Sequence, residues 1–193
     1  MDIVEYRRRS SILEKGEIVW QALPDRMEVY DERGTLQQVI PYEKVLKVRL
    51  AFAPGRLQSE RFLMELSGTR SQVILSNMHF RAISDFETRN ETFLPLVRAV
   101  VRGVAEANPN ADFRAGERPA LYWLMLVFVL AVFSLLALIL FGLPLGDGNF
   151  SVTVILKLGI ILISLPLLFS WAIKARPRRF DPETGLDAVI SAR

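Results

Sequence analysis

The chain has 193 residues, is 51% apolar, carries a formal net charge of +3 and contains no cysteine. The missing thiols exclude disulfides, thiol nucleophiles and thiolate metal sites. Nearly all of the positive excess lies beside two long apolar runs, so the rest is close to neutral and nucleic acid is not expected as a partner.

In chain order, residues 1–16 form an N-terminal segment without the apolar stretch of a cleavable signal peptide. Its cluster Arg7-Arg8-Arg9, followed by Ser10-Ser11, allows two readings. One is attraction to anionic lipid heads, worth about 1 kcal/mol per basic residue near the surface. The other is a solvated start to the domain, with Ile3, Val4 and Tyr6 packing inward.

From Glu17 to Ser84 apolar and polar residues alternate, the period of antiparallel strands packed on one side. Met27 and Val29 alternate with Arg26, Glu28 and Tyr30, and Leu46, Val48, Leu50 and Phe52 with Lys47, Arg49 and Ala51. Phe62, Met64, Leu66, Val73 and Leu75 continue the pattern. Asp31-Glu32-Arg33-Gly34, Pro54-Gly55 and Ser67-Gly68 supply the turns, and about seven strands are predicted. The period then becomes helical: Phe93, Leu96, Val97, Val100, Val101 and Val104 form one apolar stripe. Thr92 is the expected N-cap, Pro95 falls in the first turn, and Asn108-Pro109 ends the helix.

Gly16-Glu17-Ile18-Val19-Trp20 resembles the entry strand of bacterial pleckstrin-homology-like (PH-like) domains. Ile40-Pro41-Tyr42-Glu43-Lys44-Val45, leading into Val48-Arg49-Leu50, is similar to their third-strand signature. Over residues 12–108 the resemblance implies an α+β fold, a small antiparallel PH-like barrel or sandwich capped by one C-terminal helix. The domain is expected at residues 17–109, and binding of lipids or peptides is what the resemblance implies for it.

Residues 110–118 read as a linker. The apolar runs 119–141 and 152–175 follow, joined by residues 142–151. Each reaches roughly 30–35 Å as a helix, enough for a hydrocarbon core of about 30 Å, so a transmembrane α-helical hairpin is predicted. Arg114 and Arg118 precede it, Lys174, Arg176, Arg178 and Arg179 follow it, and the loop carries only Asp147. By the positive-inside rule both termini are expected in the cytoplasm of a bacterial cell, with two spans in the inner membrane and residues 176–193 as a cytoplasmic tail. Lys157 lies inside the second run, where it either snorkels to the headgroups or pairs within a membrane complex.

No residue set recommends a reaction. His79 is the only histidine and reads as an exposed strand residue. The acidic residues are dispersed, and no glycine-rich phosphate loop is present. No catalytic residue, metal or cofactor is expected. The function predicted is a non-catalytic, PH-like scaffold, an accessory or assembly subunit of a membrane complex. Its partners are the lipid bilayer and either a membrane protein or a second copy. Candidate contacts are Arg7, Arg8, Arg9, Lys157, Lys174, Arg176, Arg178 and Arg179. Anionic-lipid binding by Lys44, Lys47, Arg49, Arg56 and Arg61 is the first alternative, and a membrane-associated enzyme the second.

Overall fold

The computed structural model describes residues 3–53, 60–68, 72–142 and 176–191, with backbone alone at 136 and 139–142. Four strands open the chain: β1 (Val4–Arg8), β2 (Ile18–Ala22), β3 (Arg26–Tyr30) and β4 (Leu36–Pro41). They pair antiparallel in sequence order. Period two places Tyr6, Met27 and Ile40 on the core side, each fully buried. The β3–β4 turn is set by chemistry at its first residue. The Asp31 carboxylate accepts the Arg33 and Thr35 backbone N–H groups at 2.9 and 2.7 Å, while Gly34 takes the left-handed φ of 78° that the reversal requires.

A 3-10 turn (Tyr42–Lys44) leads to β5 (Lys47–Phe52), β6 (Phe62–Ser67) and β7 (Val73–Ser76), which pair antiparallel. Val48, Leu50, Met64, Leu66 and Leu75 supply the core face of this second sheet. A hairpin of β8 (Met78–Ala82) and β9 (Asp85–Thr88) then delivers the chain to α1 (Asn90–Ala107). The α1 stripe Phe93, Leu96, Val97, Val100, Val101 and Val104 is wholly buried in the same core. Gly103 permits the closest approach: a Cβ there would stand 2.4 Å from the Tyr42 ring. The helix begins at Asn90, before the expected cap at Thr92, because the Phe93 N–H already bonds the Arg89 carbonyl at 3.0 Å. Pro95 therefore sits inside the helix and beyond its first turn.

Three further elements lie beyond the expected domain at residues 17–109. Strand β10 (Asp112–Ala115) lies in the segment read as a linker and pairs parallel with β5. Strand β11 (Arg178–Arg179) pairs antiparallel with β10, and α3 (Leu186–Ser191) buries Leu186, Val189 and Ile190. The second sheet thus runs β11-β10-β5-β6-β7. Met1–Gly116 and Arg178–Arg193 form one compact unit, and Glu117–Pro177 forms another.

These findings correct the expected architecture. The described residues hold eleven strands and three α-helices, not about seven strands closed by one C-terminal helix. The transmembrane hairpin is not supported either. Helix α2 (Pro119–Gly142) carries the first apolar run. Among the described residues no helix is long and apolar enough to cross a membrane. The two-span topology, the bacterial inner-membrane localisation and the cytoplasmic placement of both termini are corrected with it. The second run, its connecting loop, Lys157 and Lys174 lie outside the described residues.

Candidate functional site

The arginine cluster at the N-terminus is divided by the strand that carries it. On β1, Arg7 is exposed and ion-paired with Glu5. Arg8 points the other way, donating to Ser10 Oγ at 2.8 Å and to the Ser76 carbonyl at 3.3 Å. Burial lowers its basicity. Arg9 donates to the Ser11 and Ile12 carbonyls at 3.2 and 3.1 Å and lies over the Phe80 ring at 5.5 Å. The three cations therefore do not converge on one anionic surface. Of the residues that the second reading packs inward, Tyr6 is fully buried with its hydroxyl donating to the Ser76 carbonyl at 2.8 Å and Val4 is half-buried, whereas Ile3 is exposed.

His79 is buried, not exposed as its strand position suggested. Its Nδ1 accepts the Arg9 backbone N–H at 3.0 Å, and the Phe80 N–H donates to the Arg9 carbonyl at 2.8 Å. The imidazole thereby helps hold the end of β1 beside β8. Burial, and then the charge of Arg89, hold its pKa below the usual histidine range. Arg89 pairs with Glu17 at 2.8 Å and donates to the Arg7 carbonyl at 2.9 Å. Glu5, Glu17, Glu60, Glu87 and Glu91 surround this polar cleft with Arg7 and Arg89. Among the described residues no group of three or more His, Asp or Glu is arranged to hold a metal ion.

The proposed lipid-contacting arms of the second sheet are likewise separated. Arg49 is buried and donates from Nε and Nη2 to Glu65 at 2.8 and 2.5 Å, and from Nη1 to the Gly116 carbonyl at 3.0 Å. Lys44 is exposed on the 3-10 turn and Lys47 half-buried on β5, while Arg56 lies outside the described residues. The basic residues after the second apolar run also serve the fold. Arg178 and Arg179 form β11, with Arg179 paired to Asp112 at 3.2 Å, and Arg176 is exposed just before them.

One surface stands apart. On α2, Leu124 and Phe128 are each 67% exposed, Val127 62% and Trp123 61%, with Leu130, Val132 and Leu135 also exposed. Consecutive positions such as 123, 124 and 125 point in different directions around a helix, so the apolar surface is not a stripe. Its backbone is regular from the start, where the Tyr122 N–H bonds the Arg118 carbonyl at 2.8 Å.

No family model, curated protein or solved structure matches the chain.

The α2 surface is therefore read from its own chemistry. It offers area and no charge, so it can recognise apolar surface but cannot fix a polar ligand. Its residues were visible in the sequence as an apolar run; their exposure was not. The buried His79 was missed because strand alternation put it on the face of Arg81, while the β8–β9 hairpin turns that position against β1.

Proposed function

We propose that this chain is a non-catalytic binding and scaffolding protein, an accessory or assembly subunit whose sheet domain carries an apolar helix for a protein partner. The observation that carries the reading is the exposure of Trp123, Leu124, Val127 and Phe128 on α2. Contiguous exposed apolar surface marks an interaction site. A helix apolar on every side has no single face to turn towards its own core, so it is completed by apolar surface from elsewhere. The occupant is an apolar helical surface of another subunit or of a second copy. In the sheet domain several buried polar groups are committed to its own architecture. Glu65 serves Arg49, Asn77 accepts the Phe62 N–H at 2.8 Å, and His79 serves Arg9.

Site-specific photocrosslinking in the full chain tests the proposal. A photoreactive residue at Phe128 is expected to give a discrete protein adduct, while the same residue at the exposed Glu183 gives none. Equal labelling from both positions, or an adduct from neither, would overturn it.

A further inference from the structure

Residues 117–177 leave the sheet domain and return to it as an excursion between neighbouring strands. β10 ends at Ala115 and β11 begins at Arg178, and these two are register partners, as are Arg114 and Arg179. The Phe180 N–H donates to the Phe113 carbonyl at 3.2 Å, which makes their position a hydrogen-bonded one in the ladder. Such positions alternate with non-hydrogen-bonded ones, so Arg114 and Arg179 face each other without ladder bonds, their Cα atoms about 4.5 Å apart.

A strand of two residues does not persist by itself. What holds β11 comes after it. The Phe180 ring meets Phe113 edge-on at 6.0 Å between centroids, and α3 places Leu186, Val189 and Ile190 in the core. Asp187 accepts from Arg98 Nε and Nη2 at 3.2 and 2.9 Å. These side chains are 78% and 47% exposed, so their ion pair is weak and the apolar seat dominates.

We propose that Arg178–Ser191 is a clasp, in which seating of α3 on the sheet domain and closure of the base of the 117–177 excursion are one coupled equilibrium. Anything that holds the two ends of the excursion apart unseats the tail. Anything that holds them together seats it by the same factor, because coupling between two sites is reciprocal. The device does not depend on what the excursion binds. It is suited to local release, since only a short helix and two strand residues separate with the rest of the sheet intact.

The chain has no cysteine, so Arg114→Cys with Arg179→Cys introduces one possible disulfide, at a spacing that suits it. In the full chain, oxidation is expected to slow amide exchange across Leu186–Ser191 by about tenfold relative to the reduced form, with β5 and β6 unchanged. In the reverse direction, Ile190→Ala is expected to slow closure of the disulfide several-fold. Identical α3 exchange in the oxidised and reduced proteins would overturn the proposal, as would closure indifferent to Ile190→Ala. The redox comparison needs no change in the core, so it decides the matter even if Ile190→Ala misfolds.

Discussion

Helices α1 and α2 are both rich in valine, leucine and phenylalanine, yet α1 buries its apolar stripe, whereas α2 buries only Tyr122, half-buries Leu126, Val129 and Phe133 along one line, and exposes most of its other described side chains. On α1 the apolar residues recur at helical spacing, so they define a face that one sheet sandwich can cover, and Arg98 and Arg102 stay outside. On α2 they occupy consecutive positions, so no rotation of the helix hides them from water. Apolar content is similar in kind; its period decides whether the helix finishes the chain's own core or is left for something else to cover.

The most severe way to break this comparison is a carboxylate placed on each helix. Val100→Asp puts an unpaired charge into the core and is expected to cost about 4 kcal/mol or more, most of a small domain's stability. Leu124→Asp is expected to move the melting of the sheet domain by no more than about 0.5 kcal/mol. Thermal unfolding by circular dichroism checks both, and equal losses would erase the contrast.

Charge is tolerated inside the sheet domain only where it is matched. Glu65→Leu, which leaves the buried Arg49 without that carboxylate, is expected to cost about 3 kcal/mol, with most of it recovered in Arg49→Met/Glu65→Leu. Denaturant titration of the three proteins measures this. A double variant as unstable as the single one would mean that Arg49 acts chiefly through its other contacts.

A smaller effect with an unusual sign is expected in α1. Gly103→Ala improves helix propensity by about 1 kcal/mol. It also drives a methyl group into the fully buried Tyr42 ring, 2.4 Å from Cε2. Overpacking costs about 1–3 kcal/mol, so a net loss is expected in chemical unfolding. A gain would show that Tyr42 can move aside.

The smallest effect concerns pH. His79 binds its proton less readily in the folded chain than in the unfolded one, because burial and Arg89 depress its pKa. Its contribution to stability is therefore complete above the ordinary histidine pKa of about 6.5 and declines as pH falls below it. His79→Gln is expected to flatten stability against pH below about 6.5. An unchanged slope would place the titration elsewhere.

Much of the sheet domain was legible because its alternation is clean. Met27 and Val29, Val48 and Leu50, Met64 and Leu66, and Val73 and Leu75 lie on strands β3, β5, β6 and β7, and the α1 stripe is buried. β1 was obscured because Arg8 occupies an inward position after Tyr6, so charge hides the period. β10 offers only Phe113 and Ala115 as a pattern, and β11 has two arginines between Pro177 and Phe180. Such short strands exist through pairing, which no local signal records. The hairpin expectation rested on apolar length alone, and the described part of α2 does not carry it. The α2 surface was legible in composition, whereas its exposure is a property of the folded chain.

Crosslinked co-purification of the full tagged chain, parent against Leu124→Asp/Phe128→Asp, tests the central claim most directly. The α2 surface is expected to lose its partner at least about tenfold in recovery, with the melting of the sheet domain unchanged. Undiminished recovery from the double variant would contradict the account.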